Sequence, residues 1–309
     1  MIRRILAVGA AVLGLGGMAV APAGAQQDLD PVVFSGAAAL ANAGAHPDTS
    51  PAGANDWTCT PSAEHPQPVV LVHGTIENMT YNWFTLAPLL HNAGYCVFAL
   101  NYGQEPGIHL GLPGSAETGG VAPVAESAQQ LSAFVDKVRA ATASSTVDIV
   151  GHSQGGMMPR YYLKFLGGAA KVDKLIGLAP SNHGTTVDGL AALPGVPQLL
   201  AAGLGPSVTD QIAGSPFLQH LNAGGDTVAG PAYTVIETRY DEVVTPYTSA
   251  FLTGPDVTNI DLQQQCPLDT SDHLGISFDA NALRDVLNAL DPAHAKPVAC
   301  QPTLPINGG

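Results

Sequence analysis

Three residues of suitable type and order could form a nucleophilic acyl-transfer site: Ser153, Asp241 and His273. The serine sits in Gly151-His152-Ser153-Gln154-Gly155. Alone, a G-x-S-x-G pattern means little in a chain with 35 glycines. Here it follows the apolar run Val147-Asp148-Ile149-Val150 and opens a helical stretch from Gly155 to Leu166, the strand–turn–helix context in which the pattern holds a nucleophile. The turn must be sharp, so that the hydroxyl stands clear of the sheet, and glycines at its flanks remove side chains where strand and helix meet. It also sets the serine at a helix N-terminus, where free N–H groups favour developing negative charge.

The acid and base follow in chain order. Asp241 comes just after the run Tyr233 to Glu237, at the strand end where open α/β sheets gather reactive groups. Glu237, within the strand, and Glu242, one step further on, are its rivals. His273 lies in Ser271-Asp272-His273-Leu274-Gly275, between the last strand and the last helix. His46, His65, His91, His109, His220 and His294 lack such placement. Asp272 diverges from its neighbour His273 and suits fixing the loop. In triad logic Ser153 attacks a carbonyl, His273 takes and returns its proton, and Asp241 holds the imidazole tautomer. The oxyanion donors expected are the Gln154 N–H and a group from His73-Gly74-Thr75, with the Thr75 N–H and hydroxyl the candidates. His73 and His152 read as loop buttresses.

These groups need a frame. Val69 to Val72, Tyr95 to Leu100, Val147 to Val150, Lys174 to Leu178, Tyr233 to Glu237 and Val257 to Leu262 read as strands. Helices are predicted over Trp83 to Asn92, capped at Gly94, and over Ala122 to Ala143, Gly155 to Leu166 and Ile276 to Leu290. The alternation predicts an α/β fold with a mostly parallel central sheet covered on both faces. Residues 26–66 read as an extended arm. The irregular stretch 182–230, rich in Pro, Gly and Leu, reads as a small cap insertion or as plain packing and loop. Within it, Leu190, Leu199, Leu200 and Phe217 suit an apolar wall.

Residues 1–25 have the order of a signal peptide: Arg3 and Arg4, an apolar stretch to Val20, then Ala23-Gly24-Ala25. The remainder, 26–309, is expected to form one domain. Losing two arginines takes the net charge from −14 to −16, which repels phosphate backbones and argues against nucleic-acid binding. A hydrophobic share of 46% against 12% charged residues argues against disorder. No stretch after the leader is long and apolar enough to span a membrane. Cys59, Cys96, Cys266 and Cys300 all follow the leader, an even count that suits two disulfides in an exported chain. Three pairings are possible. The sequential one, Cys59–Cys96 and Cys266–Cys300, would tie each flank to a neighbouring core element. No metal site is expected, since no C-x-x-C spacing occurs. No cofactor is expected either, as the only GxGG-like run lies in the leader.

Val69 to Thr75, Gly151 to Gly156, Val172 to Gly184, Tyr240 to Thr245 and Asp272-His273 together give the chain a family likeness. It resembles the secreted α/β-hydrolase lipases of the actinobacterial class 2 type and is similar to yeast lipase B, over roughly residues 55–300. The resemblance implies an α/β-hydrolase fold with Ser153, Asp241 and His273 as triad. It also implies Thr75 and Gln154 as oxyanion donors, the Thr75 hydroxyl included, and it supports the sequential disulfides. Gly151 stands where the yeast protein has a bulkier residue, and the cap differs, so no acyl preference carries over. The implied activity is hydrolysis of acylglycerols or similar lipid esters by a secreted monomer that touches lipid interfaces transiently. A short-chain esterase, a polyester depolymerase and an acyltransferase share the same triad, and a non-catalytic binding protein would need a triad member missing.

Overall fold

Six short apolar runs pair into one parallel sheet: β1 (Val69–Val72), β2 (Val97–Leu100), β3 (Val147–His152), β4 (Val172–Leu178), β5 (Ala232–Glu237) and β6 (Val257–Asp261), in the order β2-β1-β3-β4-β5-β6. The computed structural model describes residues 29–108, 118–189, 193 and 195–309, with the backbone alone at Pro197, Gln198 and Leu199. The expected leader 1–25, His109, Leu190 and the Leu199 side chain lie outside the described residues.

Every residue of β1, β2 and β3 is buried, as unbroken apolar runs require of a sheet covered on both faces. Side chains alternate between two cores. Val70, Val72, Phe98 and Ile149 pack on one face against Leu131 and Val135 of the long helix Val124–Thr142 and Met157 of the helix Gln154–Phe165. Val69, Leu71, Val150 and Ile176 pack on the other against Leu86 and Leu90 of the helix Leu86–Asn92 and Leu283 and Val286 of the helix Ala280–Leu290. The result is the α/β-hydrolase architecture, with the expected strands in place to within two residues.

Three expectations change. The arm 26–66 contains a helix, Gly36–Ala45, whose N-cap Ser35 accepts the Ala38 N–H at 3.2 Å. Alanine is the best helix former, but the helix buries only Gly36, Ala39 and Ala43, so its small residues left no apolar stripe to read. The helix expected over Trp83 to Asn92 starts at Leu86, and a separate short helix, Met79–Asn82, precedes it, capped by Asn78 through the Tyr81 N–H at 2.9 Å. The last helix begins four residues later than expected. Asp279 caps it through the Asn281 N–H at 2.8 Å, and Gly275–Phe278 forms a separate 3-10 turn.

Among its described residues the stretch 182–230 holds three short helices, Val196–Leu204, Pro206–Asp210 and Pro216–Asn222. Asp210 accepts the first N–H of the long helix, that of Val124, at 3.0 Å, so the insertion supplies a cap that the long helix lacks in its own side chains. Cys59 is bonded to Cys96 beside β2, and Cys266 to Cys300 ahead of the C-terminal tail. Among the described residues no helix is long and apolar enough to cross a membrane. From β1 the chain runs to β2 on one side, then to β3 on the other. The crevice beyond the carboxyl ends of β1 and β3 is therefore the topological switch point, where open α/β sheets bind ligands.

Candidate active site

Ser153 stands at that crevice, one residue past β3, with φ +55° and ψ −123°. This is a backbone state that L-residues avoid, and it persists only when the surroundings impose it. They do: the Ser153 N–H donates to Leu178 O at 2.9 Å, and its carbonyl accepts the first bonds of the following helix. Strand and helix meet so closely that a Cβ on Gly151 would overlap Gly155 O, and one on Gly155 would overlap Val72 O. Glycine is thus required at both flanks. The Gln154 N–H, first in its helix, has no partner within that helix.

The structure brings together the three residues singled out from sequence. His273 Nε2 lies 3.0 Å from Ser153 Oγ, and His273 Nδ1 lies 2.7 Å from Asp241 Oδ2. Asp241 Oδ1 accepts the N–H groups of Val243 at 2.8 Å and Val244 at 2.7 Å. Burial acts to raise the Asp241 carboxyl, but His273 and these two donors hold it below its ordinary value. Burial likewise acts to lower His273, yet the facing Asp241 carries it above the usual imidazole value. The rivals sit elsewhere. Glu242 is exposed at the cavity rim and accepts the His273 N–H at 3.4 Å, while Glu237 is buried behind Asp241. His91 pairs with Asp30, His294 with Asp291, and His220 stacks on Phe165.

On the other side of the crevice, Thr75 Oγ1 accepts a hydrogen bond from Gln154 Nε2 and another from Gln211 Nε2, both at 2.8 Å. A hydroxyl has two lone pairs and one proton. With both lone pairs taken, the Thr75 hydroxyl keeps its proton to donate into the cavity it lines with Ser153. Gln211 is oriented in turn by the Ser181 hydroxyl at 2.8 Å. Sequence reading missed Gln211 and Ser181, because they lie in the aperiodic cap stretch and beside it.

His152, read from sequence as a loop buttress, binds the loops together with Glu77, which sequence reading missed. His152 Nε2 donates to His273 O at 2.8 Å, and one proton lies between His152 Nδ1 and Glu77 Oε2, 2.9 Å apart. Glu77 also accepts the Gly74 N–H at 2.9 Å. Burial acts to raise the Glu77 carboxyl, and His152 outweighs it, leaving Glu77 below its ordinary value. The loop of Thr75, the turn of Ser153 and the loop of His273 are so joined through one buried pair. His73 braces the same loop: its Nδ1 meets Gly74 O at 2.8 Å and its ring stacks on Tyr102. Burial drives it down to about 4, so it is neutral near pH 7. Asp272 fixes the histidine loop by accepting the Gly275 and Ile306 N–H groups, at 2.7 and 2.9 Å.

Ser153, His273 and Thr75 open onto a cavity of about 340 Å³. Its walls are mainly apolar, with Leu200, Leu204, Val208 and Ile212, on and beside the helices of the stretch 182–230, joined by Val243, Val244 and Leu274. Among the described residues no cluster of His, Cys, Asp or Glu could hold a metal ion.

The fold and the crevice geometry are those of an α/β-hydrolase. Residues 66–281 match the model of the class 2 lipases, and the chain belongs to that family. Among solved structures it is similar to lipase B of Aspergillus fumigatus, at 23% identity with a TM-score of 0.61; the match covers 81% of this chain and 56% of that one. This chain therefore spans little more than half the length of that relative. More distant likenesses are a Bacillus licheniformis lipase in its mature form (17% identity, TM-score 0.49, 65% and 85% covered) and mouse alpha/beta hydrolase domain-containing protein 10 (19%, 0.49, 73% and 88%).

Proposed function

We propose that this chain is a serine carboxylic ester hydrolase, a lipase acting on acylglycerols or similar lipid esters, exported after removal of residues 1–25. The observation that carries the reading is the unbroken hydrogen-bond chain Asp241–His273–Ser153 opening onto an apolar cavity. Family membership and the two disulfides, which suit an oxidising compartment, support it.

In this reading Ser153 Oγ attacks the ester carbonyl as His273 Nε2 takes its proton. The oxyanion is met by the Gln154 N–H at the helix N-terminus and by the Thr75 hydroxyl and N–H. His273 then passes the proton to the leaving alcohol, giving an acyl-enzyme that water opens by the same steps in reverse. Asp241 fixes the Nδ1–H tautomer and offsets the imidazolium charge. No metal or cofactor takes part in these steps. The cap within 182–230 walls the acyl site on the single domain 26–309, which acts as a monomer with transient contact at a lipid surface.

The test is a rate profile of the mature protein on p-nitrophenyl esters of rising chain length and on emulsified triglyceride. A lipase hydrolyses the long esters and the emulsion. Turnover of short esters alone would replace lipase by short-chain esterase, and turnover of none would remove the reading.

A further inference from the structure

Glu237 is a buried acid for which the steps above have no use. It ends β5, four residues before Asp241, and is 0% exposed. Its Oε1 accepts the Thr238 N–H at 2.8 Å. Among the described residues its Oε2 meets no N–H or O–H donor, and the Glu237 carboxyl lies within hydrogen-bonding reach of the carboxyl of Asp241. Two carboxylates cannot share such a contact without a proton between them. Asp241 already accepts from His273 Nδ1, Val243 N and Val244 N, which leaves room for one more donor among its four lone-pair sites. Glu237 accepts only one bond, so the proton belongs to it.

The remaining surroundings agree. Asp261 approaches from β6 and is occupied by Arg239, at 2.8 Å. β4 brings only Leu178 and Ala179 alongside, and Gln263 brings an amide to Thr238 Oγ1. Under the histidine loop, Asp269 and Asp279 are a separate buried pair bridged by the Ser271 hydroxyl, at 2.7 and 3.2 Å, and His273 lies beyond Asp241. No free cation among these groups would favour a charged Glu237. Burial first, and then the charge of Asp241, raise it well above the usual carboxyl range.

We propose that Glu237 is a positioning residue which, as a neutral carboxylic acid, donates a hydrogen bond to Asp241 and keeps that carboxylate aimed at His273. This rests on the triad reading above. When Glu237 loses its proton, the bond is lost and a second negative charge faces Asp241. The arrangement therefore fails on the alkaline side.

The experiment compares Glu237→Gln with Glu237→Leu by pH profiles of kcat/KM and by infrared difference spectra. Glutamine can accept from Thr238 with its oxygen and donate to Asp241 with its amide. Leucine can do neither. The leucine variant is expected to lose on the order of 10-fold to 100-fold in kcat, as small misplacements near reacting groups do. The glutamine variant is expected to recover most of that loss, with its alkaline limb displaced upward. At pH 7 the wild-type minus glutamine spectrum is expected to show the carbonyl stretch of one protonated carboxylic acid. That readout does not depend on activity or on the leucine variant folding. Superimposable pH profiles, or no protonated-acid band, would overturn the proposal. Asp241→Asn separates the two layers: if it keeps near wild-type rates the triad reading fails, and if it is crippled while both Glu237 variants are normal, only the role of Glu237 fails.

Discussion

Ser153 and Asp241 hang from the carboxyl ends of β3 and β5, and His273 sits on the loop between the last strand and the last helix, each held by several hydrogen bonds within 3.2 Å. Leu200, Leu204, Val208 and Ile212 instead ride on and beside two helices of nine and five residues. The second region meets the first through polar ties at its edges, among them Asp210 on Val124, Ser207 on Gly120, and Gln211 on Thr75 and Ser181. The contrast separates two tasks. In the proposed reading the sheet fixes the reacting groups, and the apolar wall sets the size and shape of the acyl site. Gln211 is the exception, since it belongs to the wall and donates to Thr75, the proposed oxyanion donor.

Variants can break or sharpen that separation. Ser153→Ala is expected to cut kcat by on the order of 10⁵–10⁶ while thermal unfolding shows the fold retained; near-normal ester hydrolysis would refute the assignment. Asp241→Asn should cost about 10⁴ by favouring the wrong imidazole tautomer, with Glu242→Gln as a control. Equal, mild losses in both would move the acid elsewhere. Thr75→Val removes the hydroxyl but keeps the N–H and should lower kcat roughly 10²–10³-fold. Gln211→Leu, which frees but does not remove that hydroxyl, should lower it less. If Gln211→Leu changed only KM, the wall would be independent of the chemistry after all.

The smallest expected effect on rate lies in the buried pair under the histidine loop. Burial and then the charge of Asp269 push Asp279 up to about 8. A carboxyl raised in the folded state binds a proton that the unfolded chain has released above about pH 4. Its contribution is therefore complete below that pH and is lost as pH rises through about 8. Asp279→Asn keeps a helix-capping oxygen and removes the titration. The fall in Tm from pH 5 to pH 9 is expected to shrink by about 5 °C or more. An unchanged slope would place the alkaline loss in other groups, Asp148 foremost, which burial raises to about 7.

Much of this was legible beforehand, for physical reasons. A buried parallel strand is an unbroken apolar run, so β1 and β3 could be read directly. The elbow announces itself because only glycine fits at 151 and 155. Asp241 and His273 follow from their places after strands. Glu77 and Gln211 could not be read, as their partners His152 and Thr75 lie 75 and 136 residues away and meet them only in the fold. The helix at Gly36–Ala45 escaped because alanine and glycine leave no stripe. Glu237 was visible only as a rival acid; its burial against Asp241, which decides its protonation, is a tertiary fact.

Covalent capture decides whether Ser153 is the nucleophile. After incubation with a p-nitrophenyl alkylphosphonate, the expected result is release of one equivalent of p-nitrophenol, loss of activity, and a single adduct that peptide mass spectrometry finds on Ser153. An adduct on another residue, or inactivation with Ser153 unmodified, would contradict it.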